Sequence, residues 1–265
     1  MDTHRHRLTC ILAALTGFLM IAQSATGMIF AELYRDGEFA LQAWRINDPV
    51  TLLLAVPVLF ISLVLTLRGS LRGYLVLLGT MQYAFYNYAF YLFGAALNVH
   101  FLLYALLVVT SAVAFITGVL AITPDEVSRF FSNRTPVRTV SVYMVVWALI
   151  LGIAWSVQAL VFAVTGAVPE IGEDPFRLIA ALDLTLVVTP VALGARWLWK
   201  RHAWGFVVAV VLNVKGVIYA GLLSIGSVAG GGDPLLGLWI LFTVGSLASL
   251  IALLAGMRAR YGFRT

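Results

Sequence analysis

Two ionisable residues, Asp183 and Lys215, lie deep inside apolar stretches of the sequence. A charge at the centre of a bilayer costs at least about 2.5–3.5 kcal/mol, so such side chains usually pair and face the protein interior. Sequential antiparallel helices are usually neighbours, which places the two residues within reach of each other. The pattern predicts an Asp183–Lys215 pair. The pair could serve as a proton relay or substrate counter-ion, or it could be a structural link between two helices.

A second feature is a stretch that mixes tyrosines with amide side chains. Its candidate residues are Gln82, Tyr83, Tyr86, Asn87 and Tyr91. Tyrosines in membrane helices normally gather at the interface, whereas several of these should lie at mid-depth. Most of them fall broadly on one side of a helix. We expect this face to line a polar cavity or to bind a ligand, with interhelical packing as the alternative.

Four further polar residues stand within apolar runs: Gln23, Gln158, Asn213 and Tyr219. They are candidates for the lining of the same cavity. The three amides are equally suited to hydrogen bonds that join helices.

The elements that position these residues follow from composition. The chain is 62% hydrophobic and 11% charged, whereas soluble domains carry about 25% charged residues. So little charge implies that lipid covers most of the surface. Apolar runs occur at 8–31, 49–67, 73–97, 99–122, 140–168, 175–198, 203–228 and 234–257. The sequence predicts an all-α integral membrane protein of about eight transmembrane helices, forming a single membrane domain over 1–265.

Basic residues predict the orientation of these helices. With the N-terminus on the cytoplasmic side, thirteen basic residues fall in cytoplasmic segments: Arg5, Arg7, Arg68, Arg72, Arg129, Arg134, Arg138, Arg196, Lys200, Arg201, Arg258, Arg260 and Arg264. Only Arg35, Arg45 and Arg177 fall outside. This bias predicts that both termini are cytoplasmic, in a cell membrane.

The same map predicts where four helices begin. Asp48, Asp174 and Asp233 each precede a proline, and Asn98 precedes another apolar run. Aspartate and asparagine are preferred N-caps, and proline suits the first helical position. We therefore expect all four helices that enter from the outer side to be capped by these residues.

The two halves of the sequence show matched positions at offsets of 132–135 residues. Gly17 and Gln23 match Gly152 and Gln158, and Pro57 matches Pro190. These matches predict a 4+4 duplication with repeats at 8–122 and 140–257. Because each repeat has an even number of spans, the copies would be parallel.

Other chemistry is not expected. The histidines His4, His6, His100 and His202 lie at ends or in loops, so no metal site is predicted. No phosphate-binding loop appears, the basic residues are accounted for by membrane orientation, and neither a cofactor nor nucleic acid is expected. A Schiff base on Lys215 is not predicted, because the third run holds no carboxylate and an eighth run follows. The single cysteine, Cys10, excludes an intrachain disulfide.

Two stretches carry a resemblance. They are Tyr86 to Gly94, continuing to Asn98, and Asp183 through Pro190 to Trp204-Gly205 and Val214-Lys215-Gly216. They resemble a family of uncharacterised bacterial multi-pass membrane proteins. The resemblance extends from the third to the seventh run and implies no activity.

The sequence is compatible with three functions. The first is a small permease or proton-linked transporter that uses Asp183 and Lys215. The second is a non-catalytic membrane subunit or receptor, which would pack against a protein partner or a second copy within the lipid bilayer. The third is a membrane enzyme that acts on a lipid or isoprenoid substrate, with tyrosines and Asp183 as acid–base groups.

Overall fold

The computed structural model describes residues 2–258, so the predicted cytoplasmic Arg260 and Arg264 lie outside the described residues. Over 2–258 the chain forms eleven α-helices and no β-strand. They are α1 (Thr3–Ile29), α2 (Glu38–Val50), α3 (Val56–Leu67), α4 (Leu71–Gly94), α5 (Phe101–Leu120), α6 (Pro124–Phe130), α7 (Val137–Thr165), α8 (Glu173–Asp183), α9 (Thr189–Trp199), α10 (Ala203–Ala229) and α11 (Leu236–Ala255).

Seven helical segments within the described range are long and apolar enough to cross a membrane. They are Thr3–Ile29, Ala40–Leu67, Phe101–Leu120, Val137–Thr165, Glu173–Trp199, Ala203–Ala229 and Leu236–Ala255. The all-α membrane class is therefore confirmed. Helix α4 has 24 residues, but its tyrosines and amides lower its hydropathy, and it is not among the seven. The count of eight stays a prediction.

Two of these segments contain a widened turn before a proline. A π-helical segment, Thr51–Ala55, joins α2 to α3 just before Pro57. A second one, Leu184–Val188, joins α8 to α9 just before Pro190. Proline lacks an N–H and clashes with the preceding turn, and a π-bulge is a common local response in a continuing helix.

The predicted cap at Asp48 is wrong. The second span begins far earlier, because α2 starts at Glu38 and runs through Asp48 and Pro49 into the π segment. Asp48 is therefore a buried residue inside a helix, with 1% of its surface exposed. The predicted cap at Asp174 is also wrong, because α8 starts at Glu173 after Gly172 and Asp174 lies inside its first turn. Asp233 and Asn98 each accept from a backbone N–H two residues later, in the turns just before α11 and α5.

Helices α4 and α10 form the centre of the bundle, and most of their side chains are buried. Their backbones meet at Gly79, where a Cβ would lie 2.9 Å from the carbonyl oxygen of Val211. Helices α3, α5 and α8 pack against α4, whereas α2, α6, α9 and α11 pack against α10. Helices α1 and α7 lie further out, where α1 packs mainly against α5 and α7 mainly against α9. The polar side chains of α4 thus face protein rather than lipid, which lets a helix of low hydropathy stand inside the bundle.

The two groups of helices meet through paired contacts. Gly94 of α4 faces Leu178 of α8, and Gly226 of α10 faces Ile46 of α2. Gly226 lies 132 positions after Gly94, and Leu178 lies 132 positions after Ile46. The two contacts therefore relate the halves of the bundle in a reciprocal way.

The bundle has two ends: the N-terminal face, where α1 begins, and the opposite face, where α1 ends. At the N-terminal face, Asp2 N donates to Ala121 O and Arg201 donates to Asn133 O. At the opposite face, Ala96 N donates to Asp36 Oδ1, and Thr26 Oγ1 lies 3.0 Å from His100 Nε2. Consecutive spans therefore alternate in direction, and α4 and α10 both start at the N-terminal face.

Two tight corners at the N-terminal face depend on glycine. Gly69 and Arg201, which follow α3 and α9, have positive φ angles of 81° and 52°. Just beyond them, Gly73 and Gly205 each lie against the backbone of the preceding helix. A side chain at Gly205 would overlap the backbone nitrogen of Leu198, because α10 starts in direct contact with the end of α9.

We predict that Gly205→Ala lowers the free energy of unfolding by about 1–3 kcal/mol, because the added methyl group must displace backbone. The control is Gly237→Ala in α11, where nothing lies within 4 Å of the added Cβ. That change should leave stability equal or slightly higher. Chemical unfolding in detergent, followed by circular dichroism, measures both. Equal stability of the two variants would contradict the close α9–α10 corner.

Candidate functional site

A cavity of about 590 Å³ lies between α2, α7, α8, α10 and α11. Asp183 and Lys215 line its deep end, and Gln42, Gly232 and Asp233 line its end at the opposite face. Most of the remaining lining is apolar or aromatic, including Trp147, Trp155, Trp239 and Phe242. This volume is typical of small-molecule sites, which combine apolar walls with a few polar groups.

Asp183 ends α8 and is held by two donors from different helices. Tyr86 Oη in α4 donates to Asp183 Oδ1 at 2.6 Å, and Trp155 Nε1 in α7 donates to Oδ2 at 2.9 Å. The side chain is 6% exposed. Each carboxylate oxygen therefore has one protein donor and keeps a further lone pair.

Lys215 occupies the middle of the 27-residue α10 and is 1% exposed. Its Nζ lies 3.5 Å from the ring centroid of Tyr86 and 4.9 Å from that of Tyr219. The faces of both rings attract the ammonium group by cation–π interaction. Within residues 2–258, no side-chain or backbone acceptor forms a hydrogen bond with Lys215 Nζ.

The predicted direct Asp183–Lys215 pair does not form, because no ion pair joins these two described residues. Tyr86 stands between them. Its hydroxyl group bonds the carboxylate while its ring carries the ammonium group. The opposite charges still compensate each other within one cavity, but each remains open to a ligand on its own side.

A second buried carboxylate, Asp48, is enclosed in the N-terminal half. Tyr34 Oη donates to its Oδ2 at 2.5 Å, while Tyr91 Oη and Gln23 Nε2 donate to Oδ1 at 2.9 and 3.2 Å. Gly27 makes room for this cluster, since a Cβ there would overlap both Asp48 and Tyr34. Three donors on one carboxylate offset much of the cost of burying it.

Tyr34 is the only member of the Asp48 cluster that lies in a connection rather than in a long helix. Burial raises the pKa of the Tyr34 hydroxyl far above its ordinary value, and the neighbouring Asp48 carboxylate raises it further. Tyr34 therefore stays protonated and keeps donating to Asp48.

The structure divides the predicted site residues between these two places. Tyr86 contacts both Asp183 and Lys215, and Gln158 and Tyr219 line the cavity with them. Gln23 and Tyr91 instead bind Asp48 and lie outside the cavity lining.

The remaining predicted residues form helix-to-helix or local bonds. Gln82 donates to the carbonyl of Leu186, next to the cavity, and Asn87 accepts from Asn47. Asn213 donates to Ala209 within its own helix. The hydroxyl group of Tyr83 is fully buried and has no hydrogen-bond partner among the described residues.

Sequence reasoning missed Asp48, Tyr34 and Trp155. The spacing contained one usable signal: Asp48 and Asp183 are 135 positions apart, as are Gln23 and Gln158. The Asp-Pro pattern outweighed that signal, because it is the usual mark of a helix start. Nothing in the local sequence marks Tyr34 or Trp155.

Metal chemistry gains no support from the geometry. In the part of the chain that the structure describes, no group of three histidine, cysteine, aspartate or glutamate side chains is placed to hold an ion.

The fold and the two clusters define a multi-helix membrane protein with two buried carboxylates. No family model, no curated protein and no solved structure matches the chain. Its function must therefore be inferred from the cavity and from the residues that line it.

For the Asp48 cluster, we predict that Tyr91→Phe lowers the free energy of unfolding by about 1–3 kcal/mol, because a buried carboxylate loses one of its donors. The control is Tyr88→Phe in the same helix. The Tyr88 hydroxyl has no hydrogen-bond partner among residues 2–258, so its loss should cost little. Thermal unfolding in detergent compares the two. A larger loss in Tyr88→Phe would contradict the assignment of Asp48 as an acceptor from Tyr91.

Proposed function

We propose that this chain is a small proton-linked permease whose substrate site is the cavity above Asp183 and Lys215. The observation that supports it best is a single cavity whose deep end is lined by Asp183 and Lys215, which form no ion pair with each other, and whose other end lies at the opposite face. Buried ionisable residues that line a cavity in a membrane helix bundle typically mark a substrate or ion path. A purely structural charge pair would have no need of an accessible volume beside it.

The cavity is closed toward the N-terminal face. Below it, Tyr143 Oη donates to the carbonyl of Phe242 and lies 2.8 Å from Ser246 Oγ. Gly216 packs against Ser246 and Trp147 at the same level. Transport requires this closure to open, and Tyr143, Gly216 and Ser246 are the contacts that must separate.

Tyr86 supplies a route for coupling a proton to the substrate. Its hydroxyl group donates to Asp183 and its ring lies against Lys215. A change in the protonation of one residue therefore alters the electrostatic environment of the other. When Asp183 takes up a proton, the charge that balances Lys215 is lost. Lys215 then binds an acceptor group of the substrate more strongly, which links proton uptake to substrate binding.

The proposal includes an eight-span topology with both termini cytoplasmic, in a bacterial cytoplasmic membrane. Helix α4, with 24 residues, is long enough to be the eighth span. Support for the orientation comes from eleven described basic residues at the N-terminal face: Arg5, Arg7, Arg68, Arg72, Arg129, Arg134, Arg138, Arg196, Lys200, Arg201 and Arg258. The opposite face carries Arg35, Arg45 and Arg177.

We also propose that the two halves arose by duplication and are related by an axis along the membrane normal. The π segments begin 133 positions apart, and the positive-φ residues Gly69 and Arg201 are 132 apart. The reciprocal contacts Gly94–Leu178 and Gly226–Ile46 have the spacing that such an axis requires. Parallel repeats of this kind occur in transporters, with substrate sites near the bilayer midplane.

A membrane enzyme is the second candidate. The hydrogen bond between Tyr86 and Asp183 is an acid–base arrangement beside an apolar cavity, which suits a lipid or isoprenoid substrate. Chemical change of the bound molecule would favour the enzyme, whereas its release intact would favour the permease. A second polypeptide in fixed ratio in native mass spectrometry would favour the subunit alternative.

We predict that Asp183→Asn and Lys215→Met each weaken ligand binding by about tenfold or more, because each removes a charged hydrogen-bonding group from the cavity. The measurement is a thermal-shift screen of the purified protein against a metabolite library, followed by titration of each hit. Ala220→Tyr, which places a bulky ring in the cavity wall, should abolish the same binding.

The matched controls are Asp174→Asn in the same helix as Asp183, and Lys200→Met at the other lysine of the chain. Both side chains are exposed and lie away from the cavity. Hits that bind equally to wild type, Asp183→Asn, Lys215→Met and Ala220→Tyr would overturn the substrate site.

The orientation has its own test. In a background that lacks Cys10, a cysteine at Gly37 should react with a membrane-impermeant maleimide in intact cells, whereas one at Asn133 should react only after lysis. Both positions are exposed, at the opposite and N-terminal faces respectively. The reverse pattern would invert the topology.

A further inference from the structure

The half of α7 nearest the opposite face lacks close neighbours. From Ile153 to Val164 its side chains are exposed on every side, with Trp155 as the partly buried exception. Among the exposed residues are Ala154 and Gln158, which also line the cavity. In α1, the matching residues 135 positions earlier are Gln23, Ser24 and Gly27, and all three are buried. Helix α7 therefore stands away from the bundle where α1 does not.

This separation leaves a gap between α7 and α11. The two helices are joined near the N-terminal face by the bonds of Tyr143 and by the contact of Trp147 with Phe242, whose ring centroids are 6.0 Å apart. Beyond this level they become opposite walls of the cavity, with Ala154 on one side and Trp239 on the other. The cavity thus opens sideways, at the depth where lipid chains surround the bundle.

The sequence shows why the cavity is present in one half only. Ala220 and Leu223 line it, and the residues 132 positions earlier are Tyr88 and Tyr91. Both tyrosines are fully buried and fill the N-terminal half around Asp48. Small and aliphatic residues at the matching positions leave the corresponding volume of the C-terminal half empty.

The deep end of the cavity selects the polar group of a ligand. The Lys215 ammonium group has donors without an acceptor, and each oxygen of Asp183 has room for one more donor. Since the two charges already balance, a ligand with a net charge would leave an uncompensated charge in the bundle. The complementary head group is uncharged and carries both an acceptor and a donor.

We propose that the cavity binds a single-chain, uncharged amphiphile that enters from the lipid bilayer through the gap between α7 and α11. Its head group accepts from Lys215 and donates to Asp183, while its apolar chain lies along Ala154 and Trp239 toward the lipid. This inference rests on the proposed substrate site and adds the class of substrate and its route of entry.

The test uses the full chain in lipid nanodiscs and three photoreactive probes with the same diazirine-bearing palmityl chain. The probes are the primary amide, the carboxylate and the amine. We expect the amide to label peptides of α7 and α11 that line the cavity. The carboxylate and amine should label them at least about tenfold less, because each buries an unbalanced charge.

Two variants separate the head-group site from the gap. Lys215→Met should reduce cavity labelling by the amide about tenfold, with Lys200→Met as control. Ala154→Tyr should reduce it by narrowing the gap, with Leu149→Tyr as control, since both positions are exposed on α7 and neither change threatens folding.

The outcomes separate this inference from the permease. Equal labelling by the three probes, spread over the lipid-facing surface, would identify annular lipid only and overturn the amphiphile. A water-soluble hit that depends on Lys215 but not on Ala154→Tyr would overturn lateral entry and leave the permease intact. Loss of lysine dependence for every ligand would overturn both. A dimer in native mass spectrometry that shields α7 from the probes would assign the gap to a second copy instead.

Discussion

Tyr86 touches both charged residues at the centre of the bundle. Its hydroxyl group donates to Asp183, and its ring lies 3.5 Å from the ammonium nitrogen of Lys215. A direct ion pair would close the site, because each charge would satisfy the other. With a tyrosine between them, the charges stay close enough to compensate yet remain accessible from the cavity. The position of Tyr86 in turn depends on α4, the most polar of the long helices, being enclosed by the others.

The cost of polar groups in a bilayer explains why α4 lies in the centre. Each hydroxyl or amide needs a partner within the protein, or at least separation from lipid. Asn87 finds Asn47, Tyr91 finds Asp48, and Tyr86 finds Asp183. These bonds tie α4 to both halves of the bundle. Close contact of α4 with α10 at Gly79 completes the enclosure.

The two halves of the bundle contain similar helices but differ in how their side chains fill the space between them. In the N-terminal half, tyrosines fill the space and Gln23 binds Asp48. In the C-terminal half, Ala220 and Leu223 leave the space open, and the corresponding Gln158 is exposed beside the cavity. The N-terminal half is therefore filled and hydrogen-bonded, whereas the C-terminal half keeps a cavity beside Asp183 and Lys215. A few differences in side-chain volume account for this difference between the halves.

The sequence by itself determined the membrane class and the helical architecture, because burying a charge or a polar helix in a bilayer is costly enough to be read from composition and position. It also singled out Asp183, Lys215 and Tyr86, which the structure brings into contact. It did not determine that Asp48 is buried, since Asp-Pro usually starts a helix and only the tertiary structure shows α2 continuing through it. It predicted an ion pair where the structure places a tyrosine between the charges. Periodicity tells which side of a helix a residue occupies but not which helix faces it, and a cavity is set by neighbours distant in sequence. Only packing in three dimensions therefore decided that one half is filled and the other open.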